Sequence, residues 1–172
     1  GHPLSCVLEW AVARLHAFDP SHVVCFSSTS MPVFSILRKN LLDGKATQIV
    51  HFDPLPTNFD PDTIRRVYGY EFEVKQIENI SAVAAFEGSA TLLSSQEDLF
   101  NITLSPAIDF FVSSDSQLGS LLVVNGEQNS SYISEIQHVR RRESIAMTPA
   151  NCLIALQLLT GKKTTAPISN LK

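Results

Sequence analysis

Leu4, Val7, Leu8, Ala11, Val12, Leu15 and Phe18 recur at the i, i+3, i+4, i+7 spacing of a helix with one buried face. Asp19-Pro20 closes that helix, because proline cannot continue the hydrogen-bond ladder. The run His22-Val23-Val24-Cys25-Phe26 is short, apolar and β-branched, which predicts a strand covered on both faces. Small polar residues follow, Ser27-Ser28-Thr29-Ser30. With Ser30 as N-cap and Pro32 in the first turn, a second helix runs through Val33, Phe34, Ile36, Leu37, Leu41 and Leu42 and stops at Asp43-Gly44. Residues 45–52 give a second strand. Helix, strand, helix, strand with short links is the signature of a parallel α/β layer.

Residues 53–62 form a loop rich in proline and aspartate, and Asp62 or Thr63 caps a short helix after it. The pattern over 72–104 commits to neither helix nor strand. From residue 106 three apolar, β-favouring runs follow, "AIDFFVSS", "SLLVVNG" and "SYISEIQHV", with the turn signal Asn125-Gly126 between the last two. They predict antiparallel strands. Thr148-Pro149 starts a last helix, Ala150 to Thr160, with almost no polar face, and Gly161 stops it. The expected architecture is a single α/β domain over residues 1–161. Its N-terminal part is a mainly parallel sheet extended by antiparallel strands, with helices on both faces, a degenerate nucleotide-binding-like fold. Residues 162–172 read as a flexible tail.

Charge changes the picture modestly. Charged residues make up 17% of the 172 positions, below the usual quarter, which points to a well-buried core or to a covered surface. Residues 1–134 carry 15 acids and 7 bases, net −8, whereas residues 135–172 carry 2 acids and 6 bases, net +4. An acidic body repels a polyanion, so nucleic acid is not an expected partner. Cys6, Cys25 and Cys152 are far apart and lie in apolar runs, as reduced core thiols of an intracellular protein, cytoplasmic or nuclear, would. Three Asn-X-Ser/Thr triplets, at Asn79, Asn101 and Asn129, are the contrary signal. No apolar stretch of about 18 residues is present, and no membrane association is expected.

The strongest candidate site is the Ser27, Ser28, Thr29, Ser30 loop. Ligands of parallel α/β sheets sit beyond the carboxyl ends of strands, where a helix N-terminus adds free N–H groups. The loop has no glycine to bring backbone close to a phosphate, and no lysine follows it. Asp53, at the end of the second strand, is a candidate ligand-binding acid. The histidines at 2, 16, 22, 51 and 138 show no metal-ligand spacing, and His22 and His51 are expected at the ends of neighbouring strands. No metal and no cofactor is expected. Arg140, Arg141 and Arg142 form the one basic cluster, readable as a solvated face, an interaction patch or a guard on a strand edge.

The order helix, "DPSHVVCFSS", helix, "TQIVHFDPLP", then "DTIRRVYGY" resembles the back half of the eukaryotic RNA-processing polynucleotide 5′-kinase family. The likeness covers about 50 residues and implies a β-rich domain after them. The P-loop of that family is absent, so no catalytic residue carries over. Missing catalytic motifs argue against an enzyme. The leading expectation is therefore a non-catalytic protein-interaction domain, a subunit or scaffold of a larger assembly with a protein partner. The alternatives are an enzyme or ligand-binding domain that takes a phosphorylated small molecule at Ser27–Ser30, and a fragment of such a kinase-like protein.

Overall fold

The computed structural model describes residues 3–56, 59–95, 99–142 and 147–161. Helix α1 (Pro3–His16) leads through a 3-10 turn (Pro20–His22) into β1 (Val23–Phe26). Then come α2 (Met31–Asp43), β2 (Thr47–His51), α3 (Pro61–Tyr68), β3 (Glu73–Gln76), β4 (Ser89–Ser94), β5 (Phe110–Asp115), β6 (Gly119–Val124), α4 (Ser131–Arg142) and α5 (Pro149–Thr160). The strands form one sheet in the order β1-β6-β5-β4-β2-β3. All run in one direction except β6, which is antiparallel to both β1 and β5. The expected fold class, a largely parallel α/β sheet with an antiparallel addition and helices on both faces, is the one observed.

Alternation along β1 explains the three layers. Val24 and Phe26 face a core shared with Val33, Ile36 and Leu37 of α2, Ile64 of α3 and Tyr132 and Ile136 of α4. Val23 and Cys25 face the opposite core, built with Leu8, Val12 and Ala13 of α1 and Cys152, Ala155 and Leu159 of α5. A strand apolar on every residue is what burial on both faces requires.

Several local expectations need correction. The run "SYISEIQHV" forms α4, not a strand. Tyr132, Ile136, Val139 and Arg140 are its buried positions, at i, i+4, i+7 and i+8, a helical period that its β-favouring residues obscured. Asn125-Gly126 does turn the chain, with Gly126 at φ +85°, but into this helix. The kinase-like resemblance implied a separate β-rich domain, whereas β5 and β6 join the same sheet as β2. Strands β1 and β2 are not neighbours, so His22 and His51 lie apart. Asp60 caps α3, accepting from the Asp62 N–H at 3.2 Å and the Thr63 hydroxyl at 2.7 Å, with Pro61 in the first turn. Of the three free thiols, Cys6 is exposed rather than in the core. The tail from residue 162 lies outside the described residues.

β1 is an edge strand, and its open edge is closed by side chains. In an edge strand the N–H and C=O of one residue point outward together. At Cys25 the N–H donates to Glu9 Oε2 of α1 at 2.9 Å, and the carbonyl accepts from Arg140 Nη1 of α4 at 3.3 Å. Arg140 also pairs directly with Glu9 and donates to Gln137 Oε1 at 2.8 Å. Both charged side chains are buried, Glu9 at 7% and Arg140 at 5% exposure.

Candidate functional site

The carboxyl ends of the five co-directional strands share one edge of the sheet. That edge carries Ser27–Ser30 after β1, His51–Asp53 after β2, Ser94-Ser95 after β4 and the Asp115–Gly119 turn after β5. The chain enters at β1, crosses to β2, steps outward to β3, then returns inward through β4, so the strand order reverses between β2 and β4. Crevices at such an edge are where open α/β sheets bind ligands.

The serine loop is tightly built. Gly119 has φ +118°, and a Cβ there would stand 2.2 Å from the Phe26 carbonyl oxygen and 3.0 Å from that of Ser27. Glycine lets the β5–β6 turn lie directly against the end of β1. Beside it, the Ser120 hydroxyl donates to the Ser28 carbonyl. Asp115 accepts from the N–H groups of Gln117 and Leu118, at 2.8 and 3.0 Å, and so closes the turn.

Within the loop the helix cap is shifted. Ser30 occupies the N-cap position but makes no side-chain cap bond. Ser28 Oγ accepts from the N–H groups of both Ser30 and Met31, each at 3.2 Å, and lies 3.3 Å from Ser30 Oγ. Ser28 therefore satisfies donors that an N-cap side chain normally takes. Pro32 supplies no N–H, and this also reduces what the helix start offers an anion.

A cavity of 280 Å³ opens beside the first turns of α2, lined by Met31, Phe34, Arg38, Tyr68, Tyr70 and Val139, among others. Phe34 lies 5.0 Å from Tyr68 between ring centroids, and Tyr68 stacks on Tyr70 at 5.9 Å. Loss of water around Tyr70 raises its phenol pKa. Arg38 pairs with Glu135 of α4. A larger hollow, 530 Å³, lies at the amino edge between Asn40, Lys45, Thr47, Phe72 and Phe86. It faces neither a helix N-terminus nor a strand's carboxyl end, so the smaller cavity is the better candidate.

The sequence-predicted residues do not converge. Asp53 shares the carboxyl edge with the serine loop, but four strand spacings, about 19 Å, separate β2 from β1. Asp53 Oδ2 is buried without a hydrogen-bond partner, while its carbonyl accepts from His51 Nδ1 at 2.6 Å. Arg140 is buried in the edge-closing ion pair and Arg141 is exposed; the side chain of Arg142 lies outside the description. The cavity aromatics Phe34, Tyr68 and Tyr70 were not singled out in sequence, where only the clustering of Tyr68, Gly69 and Tyr70 hints at them.

No family model and no curated protein sequence matches this chain. Solved structures do. L-threonine-O-3-phosphate decarboxylase from Porphyromonas gingivalis superposes with TM-score 0.59 at 11% identity, over 96% of this chain and 62% of its own. The α-aminoadipate aminotransferase LysN from Thermus thermophilus, solved with N-(5′-phosphopyridoxyl)-L-leucine, gives 0.52 at 12%, over 95% and 55%. The PLP-dependent cyclase OrfR gives 0.55 at 11%, over 91% and 54%. The chain thus spans about 60% of the length of such neighbours. The fold is that of PLP-dependent fold-type I enzymes. The neighbours that share this fold are enzymes, which overturns the expectation of a non-catalytic interaction scaffold. The fold also replaces the kinase-like comparison.

Pyridoxal phosphate is held through a lysine Schiff base, with an acidic or basic partner for the ring nitrogen. Among the described residues no lysine meets the first of these demands. Lys39 and Lys45 stand over the Tyr132 ring, 5.2 and 5.6 Å from its centroid, and Lys45 belongs to the amino edge. Lys75 is exposed on β3, the strand farthest from the serine loop. The β5–β6 turn beside the loop reads Asp115-Ser116-Gln117-Leu118-Gly119, with no amine. Lys162, Lys163 and Lys172 lie outside the described residues. No helix among those described is long and apolar enough to cross a membrane.

Proposed function

We propose that this chain is the sheet-bearing portion of an enzyme-type protein that binds a phosphorylated small molecule without a covalent anchor. The phosphate rests against Ser27, Thr29 and Ser30 at the start of α2, and Ser28 holds the loop in shape. A planar ring enters the cavity between Phe34 and the Tyr68–Tyr70 pair, near the Arg38 guanidinium. The observation that carries the reading is the fold shared with PLP-dependent enzymes, combined with an aromatic cavity next to the helix start at the carboxyl edge. At 280 Å³ the cavity is just below the usual range for small-molecule sites, which suits one ring and little more. Three free thiols support an intracellular setting. Asp53 stands too far along the edge to touch the same phosphate.

Thermal melts of the full chain with inorganic phosphate, pyridoxal 5′-phosphate, phosphothreonine and a nucleoside monophosphate test this. A ligand at a hundred times its Kd stabilises by about 2.7 kcal/mol. The expected result is a concentration-dependent rise in Tm that is larger for ring-bearing phosphates than for phosphate alone. Ser30→Asp, which sets a negative charge against the anion, should abolish it. No rise with any phosphorylated compound at millimolar concentration would reject the reading.

A further inference from the structure

At the opposite edge of the sheet, antiparallel pairing of β1 with β6 brings the segment before β1 against the segment after β6. Asp19 and His22 come from the first, spaced i, i+3 around the 3-10 turn Pro20–His22, and Glu127 starts the 3-10 turn Glu127–Asn129. One ligand atom from each of these three side chains lies within 4.8 Å of the other two. The cluster is not merely acidic. His22 is only 7% exposed, and its Nδ1 lies 2.8 Å from the carbonyl oxygen of Val124, the last residue of β6. A carbonyl can only accept, so Nδ1 carries the proton and Nε2 keeps its lone pair in the neutral ring. That lone pair faces Glu127 Oε1 at 3.7 Å, beyond hydrogen-bond reach. A histidine fixed by a carbonyl behind it and aimed outward is the usual preparation of a metal ligand.

We infer that Asp19, His22 and Glu127 bind one divalent transition metal ion of the zinc class. Bonds of about 2.0–2.2 Å in tetrahedral geometry set ligand atoms about 3.4 Å apart. The 3.7 Å between His22 and Glu127 therefore closes with a small rotation of Glu127, while Asp19, within 4.8 Å of both, must also move inward. Glu127 is free to make it, since its side chain is 84% exposed. On Asp19, Oδ1 accepts from the Ser21 N–H and hydroxyl at 2.9 and 2.8 Å, which orients the carboxylate while leaving its second oxygen for the ion. One nitrogen and two carboxylate oxygens suit zinc, cobalt or nickel better than calcium or magnesium, which prefer oxygen alone. A water completes the fourth position. The ion ties the start of an edge strand to the exit of β6, far from the serine loop, and its role is to hold that corner of the sheet.

Isothermal titration of the full, chelator-treated chain with ZnCl2, and visible absorption with CoCl2, test the assignment. Expected are one ion per chain, a raised Tm, and cobalt bands of four-coordinate intensity without a thiolate charge-transfer band. Glu127→Gln, a change at an exposed position, should weaken zinc at least about tenfold, and Asp19→Asn likewise. A cobalt spectrum with thiolate bands would place the ion on cysteine and overturn the assignment. So would zinc affinity unchanged in Glu127→Gln, or no binding at all.

Discussion

Replacing Arg140 with leucine removes the guanidinium that closes the β1 edge. Three consequences add. The Glu9 carboxylate stays buried and loses its countercharge, while the Cys25 N–H remains at 2.9 Å. The Cys25 carbonyl loses its donor at 3.3 Å. Gln137 loses a partner at the half-buried rim, where water replaces it. Removing one member of a buried ion pair costs about 3–5 kcal/mol, a large share of the 5–15 kcal/mol that holds a domain together. At about 2–4 °C per kcal/mol for a chain of this size, Tm should fall by about 10 °C. Urea unfolding followed by circular dichroism measures the loss. The double variant Glu9→Leu, Arg140→Leu leaves no buried charge but strands the Cys25 N–H and carbonyl. It should therefore lose clearly less than the two single variants added together. An uncovered edge also invites pairing with a second copy, so light scattering should detect self-association in the single variant. A loss below about 1 kcal/mol with an unchanged monomer would refute the edge-closing role.

Other positions give sharp contrasts. Gly119→Ala should destabilise by about 1–3 kcal/mol, because its φ of +118° and the 2.2 Å approach to the Phe26 carbonyl leave no room for a Cβ; a thermal melt within error of the parent would contradict this. Ser28→Ala should cost about 1 kcal/mol in urea unfolding while Ser30→Ala costs a few tenths, the reverse of a Ser30 cap. Tyr132, buried and donating to Asn40 Oδ1, has its phenol pushed up to about 12 by burial first and by Asp43 and Asp109 after it. Its folded pKa lies above the unfolded value of about 10, so its contribution is complete below pH 10 and is lost as pH rises toward 12. Unfolding free energies that stay flat through this interval, or that drop equally in Tyr132→Phe, would refute that linkage.

Much of the fold was legible because burial writes itself into local periodicity. The i, i+3, i+4 pattern of α1, the unbroken apolar run of β1 and the Thr148-Pro149 start of α5 each follow from one element meeting one core. The Thr148 hydroxyl does accept the Asn151 N–H, at 3.2 Å. What stayed hidden depends on pairs distant in sequence. Arg140 and Glu9 are 131 residues apart, so neither composition nor spacing could show that a basic cluster hides a buried ion pair. The reading of an arginine on a strand edge put Arg140 on the wrong element, since it belongs to α4 and reaches the Cys25 carbonyl of β1 from there. The sheet order was equally hidden, since β4, β5 and β6 enter between β1 and β2. That insertion is what parts Asp53 from the serine loop. The metal-ligating triad was invisible for the same reason, because Glu127 meets Asp19 and His22 only through the β1–β6 register.

The central claim is a phosphate-bearing ligand held at the carboxyl edge with no lysine anchor. Incubating the full chain with pyridoxal 5′-phosphate, reducing with borohydride and measuring intact mass tests it most directly when paired with retention on dialysis before reduction. The account predicts saturable retention that inorganic phosphate competes away and Ser30→Asp removes, with the protein mass unchanged after reduction. A stoichiometric phosphopyridoxyl adduct on one lysine, or no retention at any concentration, would contradict it.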